Sequence, residues 1–382
     1  MGIYLDHNAS TPPDESVVEA MLPWLRELHA NPHSEHAKGQ RAAAAVENAR
    51  HQVASLIGAD SEDVFFTSGA TESNNLILQG LLAHRDSALL ASAVEHKCVL
   101  EVGRALAANG TLFEMLPVDG LGTVLPGSIR SFLGRHLGRE VVVLAVMHAN
   151  NEIGTVQPIN DISKPLTADN VFLHVDGSQS VGKIPVDVSM LGADSLSLSS
   201  HKLYGPAGIG AVFISRRVRH LLRPLMYGGG QQSGVRPGTL PVFLSVGFGA
   251  ACALAVQRQE EDARNARACA NAFVDALKAK HATFVQLGHP TESIPGLVSV
   301  RFPGCDSGDL LTRVCQDVFA STGAACSAGV IQASHVSRAI GLSESEGLEV
   351  VRFGFGRHST VPLAVQAASL VAKAREAIIG LA

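Results

Sequence analysis

Two short apolar runs, each ending abruptly in polar residues, constrain the fold of this chain more than any other feature. The first run, VFLHV at 171–175, is followed at once by DGSQ at 176–179, and the second alternates serine with leucine at 195–199. A short, β-rich apolar run bounded by turn residues is typical of a buried strand in a parallel sheet. Ligands of open α/β sheets bind at the carboxyl ends of the strands. Asp176 and Lys202, which follow the two runs, are therefore predicted to lie at one crevice.

An acid and a lysine at one crevice are the pair that pyridoxal 5'-phosphate (PLP) requires. This cofactor forms a Schiff base with a lysine and holds its pyridinium proton against a carboxylate, which keeps the ring an electron sink. The spacing of Asp176 and Lys202 also allows a solvated surface lysine and an aspartate that only caps a helix. Further motifs are needed to decide between the two interpretations.

The segment FFTSGATESN at 65–74 is predicted to contain a strand end, a glycine turn and a helix N-terminus. Free backbone N–H groups at such a terminus bind phosphate, and Ser or Thr hydroxyls complete the site. The alternative is an ordinary capping sequence in which Ser68 or Thr71 serves only the helix. The run GGGQQSGVRPGT at 228–239 is too rich in glycine for a helix or a strand interior, and it is predicted to be a loop that allows close backbone approach.

With these motifs in this order, the chain resembles the PLP-dependent cysteine desulfurases. These enzymes are the sulfur-mobilising branch of the fold-type I, class V aminotransferase-like family, to which the selenocysteine lyases are related. The resemblance extends over nearly the whole chain, and its specificity comes from the shared order of many landmarks. They lie at 4–11, 31–32, 68–75, 95–97, 147–154, 176–179, 199–206, 236–241, 323–326 and 352–357.

The predicted architecture is an α/β fold with two domains. From 14 to 256 the chain alternates helical patterns with short apolar strands, which indicates a large PLP-binding domain built on a mostly parallel sheet. Residues 1–13 and 257–382 are predicted to form a smaller α+β domain that carries the catalytic cysteine loop. A charged, alanine-rich helix that begins at 257 is expected to bridge the two domains.

The resemblance also implies roles for individual residues. Lys202 would hold PLP as a Schiff base and accept the α-proton of the substrate, and Asp176 would pair with the pyridinium nitrogen. His96 would stack on the ring, and a further role of His96 in proton transfer is a hypothesis. The remaining implied contacts are Gln179 and Asn151 near the ring hydroxyl, Ala70, Thr71, Ser199 and His201 at the phosphate, Thr239 from a partner subunit, and Asn31, Asn151 and Arg352 at the substrate. A homodimer is implied with them.

The cysteines supply a candidate nucleophile. They are Cys98, Cys252, Cys269, Cys305, Cys315 and Cys326, with no CxxC pair and no metal-like cluster, so no metal is predicted. Cys252 and Cys269 lie in alanine-rich helical stretches, where packing is the expected role. Cys98 follows His96 closely, although packing is favoured there too. Cys326 lies among small residues at 320–329 without bulky apolar cover, and it is predicted to be an exposed, reactive thiol.

The reaction predicted from the resemblance converts L-cysteine to L-alanine. The Cys326 thiolate attacks the substrate sulfur and becomes a persulfide, which is covalent nucleophilic catalysis. The sulfur is expected to pass to an acceptor protein and to supply iron–sulfur clusters, thiolated tRNA or thio-cofactors. Lys97 follows His96 as a lysine does in the cysteine desulfurases, so the resemblance implies a preference for sulfur over selenium. A selenocysteine lyase and a catalytically weak PLP-binding assembly platform are the alternatives.

Composition agrees with this prediction. The chain has 382 residues, 46% of them hydrophobic and 17% charged, which is enough to bury a substantial core. A net charge of −5 gives no nucleic-acid footprint. We expect no membrane span, no leader sequence and a cytoplasmic location. The four arginines within 216–223 are expected to form a solvated face, with an acidic acceptor as the alternative partner.

Overall fold

The structure is a computed structural model that describes the backbone of residues 2–84, 86–322, 324–327 and 330–380, and the side chains of these residues except 324–327, 330 and 331. In chain order the strands are β1 (Ile3–Tyr4), β2 (Val64–Thr67), β3 (Ser87–Ser92), β4 (Leu112–Leu116), β5 (Val141–Ala145), β6 (Val171–Asp176), β7 (Ser195–Ser199), β8 (Gly210–Ile214), β9 (Val285–Leu287), β10 (Leu297–Arg301), β11 (Val318–Phe319), β12 (Ser321–Thr322), β13 (Ala324–Ser327), β14 (Val330–Ala333) and β15 (Val350–Gly354). The helices are α1 (Glu15–Arg26), α2 (Ala37–Leu56), α3 (Ala70–Leu81), α4 (Lys97–Ala107), α5 (Pro126–Gly134), α6 (Ile159–Ser163), α7 (Val188–Leu191), α8 (Arg216–Arg219), α9 (Val242–Ala279), α10 (Ser307–Val314), α11 (His335–Ala339), α12 (Glu344–Gly347) and α13 (Val361–Ile379).

The largest sheet of the described chain has the strand order β2-β8-β7-β6-β5-β3-β4. All neighbours pair in parallel except β8, which is antiparallel to both β7 and β2. Successive side chains of a strand point to opposite sides of the sheet, and the central strands are buried on both faces because a hydrophobic core covers each side. Leu90 and Leu144 enter the core that α2 and α9 cover, whereas Leu89 and Val143 enter the core that α3 and α4 cover. The predicted α/β fold with a mostly parallel sheet is confirmed.

The register of two neighbouring strands determines where the polar residues meet. In the parallel pair of β6 and β7, His174 is opposite Ser195 and Asp176 is opposite Ser197. Both strands therefore end at the same edge of the sheet. A 3₁₀ turn at Ser200–Lys202 follows β7 directly, and it carries Lys202 to that edge.

A second, antiparallel sheet has the order β12-β15-β10-β9. The short parallel pair of β1 and β11 lies in the same core. α9 and α13 pack together and cover this core. Phe273 of α9 contacts Phe353 of β15 with ring centroids 4.6 Å apart.

The helix α9 is continuous from Val242 to Ala279, so residue 256 lies within it. By length and composition alone α9 is apolar enough to cross a membrane, which differs from the sequence-based expectation. In the folded chain α1 and α2 pack against its first half, and Phe248, Ala251 and Cys252 are buried in the core. This packing is typical of a core helix.

Candidate active site

A cavity of about 520 Å³ lies at the carboxyl ends of β6 and β7. The predicted site residues that line it are Ala70, Thr71, His96, Asn151, Asp176, Gln179, Ser199, His201, Lys202 and Arg352. Ser68 and Gly69 of the predicted phosphate-binding segment line it as well. The other lining residues had no site role predicted from the sequence, and they are Asn8, Ala9, Glu72, Cys98, Met147, Ser178, Ala207 and Gly208. The cavity thus brings together residues from both sheets and from the N-terminal segment.

Lys202 presents its amine inside this cavity. Its Nζ donates hydrogen bonds to the backbone carbonyl oxygens of Asn8, at 2.8 Å, and Ala9, at 2.7 Å. Burial, and then the positive charge of Arg352, lower the pKa of Lys202 to about 8, although Asp176 acts in the opposite direction. A lysine with this pKa has about a tenth of its amine uncharged at pH 7, far more than an ordinary lysine, and the uncharged amine is the form that acts as a nucleophile or a base.

Asp176 is the last residue of β6 and is only 4% exposed. Its Oδ2 accepts a hydrogen bond from Nδ2 of Asn74 at 2.8 Å. Its Oδ1 accepts from the backbone N–H of Ser178 at 2.9 Å and from the Ser178 hydroxyl at 2.5 Å. All three partners are donors, and this arrangement suits an ionised carboxylate.

The N-terminus of α3 faces the cavity without a side-chain cap. The N-cap residue is Gly69, so the first-turn N–H groups receive no capping side chain from this position. The backbone N–H of Ser68 is already bonded to Glu72 at 2.7 Å, and Glu72 pairs with Arg236. A Cβ atom at Gly69 would project into open space whose nearest atom is the Ser199 hydroxyl, at 3.8 Å. This geometry suits an anion held by free N–H groups.

His96 and Cys98 meet at the start of α4. His96 caps this helix, and its Nδ1 accepts the backbone N–H of Cys98 at 3.1 Å. Burial lowers the pKa of His96, which favours a neutral ring with its proton on Nε2. The Cys98 Sγ lies 3.0 Å from the same Nδ1. Burial and the charge of Asp176 raise the pKa of Cys98 to about 12, so this residue remains a thiol.

Gln179 is fixed by Asn8 and Lys183. The Gln179 Nε2 donates to the carbonyl oxygen of Asn8 at 2.8 Å, and Asn8 Nδ2 donates to Gln179 Oε1 at 3.1 Å. Lys183 Nζ donates to the same Oε1 at 2.8 Å. Burial, followed by repulsion from Lys202 and Arg352, lowers the pKa of Lys183 to about 7. Lys183 was not predicted to lie near the site. Its position, four residues after Gln179, is the sequence signal that could have indicated this contact.

Arg352 extends from β15 of the second sheet to the cavity. Its Nη2 bonds Asp6 Oδ1 at 2.7 Å, and its Nη1 donates to the carbonyl oxygen of Asn151 at 2.9 Å. Arg352 is 8% exposed. A guanidinium held in this way is suited to binding a carboxylate.

Three predicted site residues do not line the cavity within the described structure. Asn31 is exposed, and its Oδ1 accepts the backbone N–H of His33. Thr239 is exposed too, and its predicted role involves a partner subunit. The backbone of Cys326 lies in β13 opposite Ile331 of β14, but its side chain lies outside the described part of the chain.

Two further predictions from the sequence concern a metal site and the arginines at 216–223. No group of three or more His, Cys, Asp or Glu side chains is arranged for a metal among the described residues. The arginines of α8 are ion-paired within the chain: Arg217 bonds both carboxylate oxygens of Asp194, and Arg219 bonds Asp63. These two arginines are therefore committed to intramolecular contacts, which weakens the alternative of an acidic partner.

The fold and the cavity define a class of enzyme in which a lysine, an aspartate and a free helix N-terminus meet at the carboxyl edge of an α/β sheet. The profile of the family described as Aminotransferase class-V matches residues 3–362, and the chain belongs to this family.

Similar proteins assign the chain to a more specific group within this family. The chain is 41% identical to a cysteine desulfurase of Mus musculus over 94% of its own length and 78% of that protein's length. It is 38% identical to the cysteine desulfurase IscS of Rickettsia prowazekii, over 94% of this chain and 87% of the relative. A solved NifS-like protein superposes with a TM-score of 0.90 at 30% identity and covers 100% of both chains. A solved structure of SspA in complex with cysteine has a TM-score of 0.80 at 32% identity, over 92% and 98% of the two chains. Within the family, the chain belongs to the cysteine desulfurases, which confirms the predicted resemblance.

Proposed function

We propose that this protein binds PLP and removes sulfur from L-cysteine, so that L-alanine is released and the sulfur is held as a persulfide on Cys326. The observation that carries the proposal is the convergence of Lys202, Asp176 and the uncapped N-terminus of α3 on one cavity. The relatives that are cysteine desulfurases support the same activity.

The cavity fits the three polar features of PLP. Lys202 offers an amine for the aldehyde, Asp176 offers a carboxylate for the ring nitrogen, and α3 offers free N–H groups for the phosphate. Ser199 and His201 line the same cavity and are proposed to complete the phosphate contacts, with Ala70 and Thr71. When bound, PLP supplies an electron sink for the carbon skeleton of the substrate.

Arg352 is proposed to bind the carboxylate of L-cysteine. Its two NH₂ groups are anchored by Asp6 and by the carbonyl oxygen of Asn151, so the guanidinium is held in one orientation. Orientation of this kind reduces the entropy lost on the way to the transition state. Lys202, whose pKa is about 8, is proposed to take the α-proton. Asn31 does not line the cavity that the described residues form, and its role as a second carboxylate contact stays a prediction.

The sulfur step needs a thiolate that reaches the substrate. The Cys326 thiolate attacks the substrate sulfur, an S–S bond forms, the carbon–sulfur bond breaks, and the carbon skeleton leaves as L-alanine after protonation. Cys98 is a poor alternative, because its pKa is raised to about 12 and the thiol form is a weak nucleophile. Cys252, Cys269 and Cys305 are buried. The exposed Cys315 is the remaining described thiol, and it does not line the cavity.

We propose further that the protein works as a homodimer and passes its sulfur to an acceptor protein. Thr239 ends the glycine-rich run at 228–239, is exposed, and does not line the cavity that the described residues of its own chain form, as expected for a residue donated to a partner subunit. Supply of sulfur for iron–sulfur clusters is the role known for this family, and thio-cofactors and thiolated tRNA are further expected products. A cytoplasmic location remains a prediction.

The test is release of alanine and sulfide by the purified, PLP-loaded protein given L-cysteine and dithiothreitol. Cys326→Ala should bind PLP but form no persulfide, and Lys202→Ala should lose turnover by about 10²-fold or more because it removes the base. Cys315→Ala, which removes an exposed thiol outside the cavity, is the matched control and should be unaffected. Full activity of Cys326→Ala would refute the proposal. A parallel assay with L-selenocysteine separates it from the lyase alternative.

A further inference from the structure

A series of buried, hydrogen-bonded polar side chains leads to Asp176. The Ser195 hydroxyl is 2.9 Å from His174 Nδ1, and His174 Nε2 is 2.9 Å from Asn74 Oδ1. Asn74 Nδ2 then donates to Asp176 Oδ2 at 2.8 Å and to the Cys98 sulfur at 3.0 Å. Asn74 is fully buried, and His174 and Ser195 are each 1% exposed. The polar groups of Asn74 are therefore satisfied by the protein, with no need for solvent.

The chemistry of the side chains determines which group donates and which accepts in each hydrogen bond from Ser195 to Asp176. An amide oxygen only accepts, so the proton of the His174 ring must be on Nε2. Burial lowers the pKa of His174 to about 4, so the ring is neutral and its Nδ1 accepts from the Ser195 hydroxyl. The Asn74 amide is thereby oriented with its oxygen towards His174 and its NH₂ group towards Asp176. The opposite orientation would place an amide oxygen against a carboxylate.

A second buried carboxyl shows why this orientation matters. Glu95 is 1% exposed, and its side chain accepts a hydrogen bond from the backbone N–H of Met147, whereas its Oε2 has no partner among the described residues. Burial, and then the charge of Asp176, raise the pKa of Glu95 well above its ordinary value. Two neighbouring buried carboxyls do not both ionise readily. Asp176 receives three hydrogen-bond donors and Glu95 one, so the raised pKa of Glu95 favours its neutral form beside Asp176.

We propose that Asn74, oriented by His174, is a positioning residue that holds the Asp176 carboxylate towards the ring nitrogen of the cofactor. The inference rests on the proposed function. The same amide is also connected to His96, the residue predicted to stack on the cofactor ring. Its other N–H bonds Cys98, whose sulfur is 3.0 Å from His96 Nδ1. That Nδ1 already accepts the backbone N–H of Cys98, so the thiol is the donor in this contact. One buried amide thus connects the predicted partner of the ring nitrogen with the predicted ring-stacking residue.

The test measures binding, using PLP and its 1-deaza analogue, in which a C–H group replaces the ring nitrogen. Each compound is titrated into the apoprotein, and the ratio of the two dissociation constants reports the contact of Asp176 with the ring nitrogen. Asn74→Ala should reduce the preference for PLP by about tenfold, the effect of one hydrogen bond to a charged group. The affinity for the analogue should change little, and this binding also shows that the variant has folded.

Two further variants make the test specific. Asn75→Ala, at the next position of α3, removes an amide that donates to the Thr71 carbonyl oxygen, and the preference for PLP should be unchanged. His174→Gln can still donate an N–H to Asn74 and should keep most of the preference, whereas His174→Leu should lose it.

If Asn74→Ala lowers the affinity for PLP and for the analogue equally, Asn74 has only a structural role. This result would overturn the inference while the proposed function stands. A wild-type protein without any preference for PLP over the analogue would overturn the proposed pairing of Asp176, and the inference with it.

Discussion

Lys202 has a perturbed amine whose state can be measured directly. Burial and the charge of Arg352 lower its pKa to about 8, and the free amine predominates above that pH. We therefore expect the rate of PLP capture by the apoprotein to rise with pH and to level off above about pH 8. A lysine with the ordinary pKa of about 10.4 would give a rate that still rises at pH 9 to 10. Stopped-flow absorbance at a fixed PLP concentration measures the profile.

The contribution of Arg352 to this profile has a definite sign. Removal of a nearby positive charge makes the protonated amine of Lys202 less unfavourable, so Arg352→Gln should shift the midpoint to higher pH. Arg264 is the matched control, because its side chain is 73% exposed and pairs with Glu260 on the surface of α9. An unchanged midpoint in Arg352→Gln would leave burial alone as the cause of the shift.

Individual site residues differed in how well the sequence predicted them. Asp176 and Lys202 could be found because Asp176 ends an apolar strand and Lys202 lies in the turn after the next one, and strand ends meet at one edge of a parallel sheet. Asn8 and Ala9 were not assigned to the site because they meet Lys202 through backbone carbonyl oxygens, which every residue has. The role of Asn74 was equally hidden. Nothing local in the sequence indicates that its amide is oriented by His174, which is far away in the chain.

At the scale of elements, the start of α3 depends on Gly69. This residue has φ 154° and ψ 176°, a conformation that is essentially restricted to glycine. Gly69→Ala should lower the free energy of unfolding by about 1–3 kcal/mol. Its Cβ would also occupy the proposed phosphate position, so the affinity for PLP should fall by about tenfold while that for pyridoxal, which lacks the phosphate, should change little.

Gly110 is a matched control that separates the loss of stability from the loss of PLP affinity. Gly110, which follows α4, has φ 96° and is exposed, and a Cβ atom added there would have no atom of the described structure within 4 Å, apart from its chain neighbours. Gly110→Ala should therefore lose a comparable stability of about 1–2 kcal/mol without any change in PLP affinity. Chemical denaturation and cofactor titration of both variants make the comparison. Equal loss of pyridoxal and PLP affinity in Gly69→Ala would contradict the phosphate site.

The elements themselves were predicted better than their arrangement. The apolar runs at 171–175 and 196–198 correspond to β6 and β7, because continuous burial leaves a clear pattern in the sequence. The pairing of β2 with β8 at the edge of the sheet left no such pattern. Strand order depends on contacts between segments that are distant in the chain, and hydrophobic periodicity reports only local geometry.

At the scale of the whole molecule, we propose that the chain divides into a large domain at 14–256 and a small domain formed by 1–13 and 257–382. Separate hydrophobic cores support the division: Ile3 and Leu5 lie with Phe353 in the core of the small sheet, whereas the large sheet has its own cores. Because α9 runs through the boundary and contributes to both sides, the two parts are expected to be held rigidly together. Limited proteolysis that cut within α9 before it cut the surface loops would contradict this expectation.

Arg357 connects these parts through a buried ion-pair network. Its side chain is 4% exposed, and it bonds Asp14 at 2.6 Å and Asp262 of α9 at 2.7 Å. The guanidinium also lies 4.1 Å from the centre of the Tyr204 ring, two residues after Lys202. α1, α9 and the lysine turn are thus held by one side chain.

Arg357→Ala should lower the free energy of unfolding by about 3–5 kcal/mol, because two largely buried carboxylates lose their hydrogen-bonded cation and Arg258 approaches Asp262 only to 3.9 Å. Arg357→Lys keeps the charge but not the planar fork that bonds both acids, so an intermediate loss is expected. Arg264→Ala removes an exposed pair of α9 and should cost about 1 kcal/mol or less. Urea denaturation of the three apoprotein variants measures these differences. A loss in Arg357→Ala no larger than that in Arg264→Ala would mean that water enters the site and solvates the two acids, and the junction of the two domains would then have to depend on the apolar contacts of α9 alone.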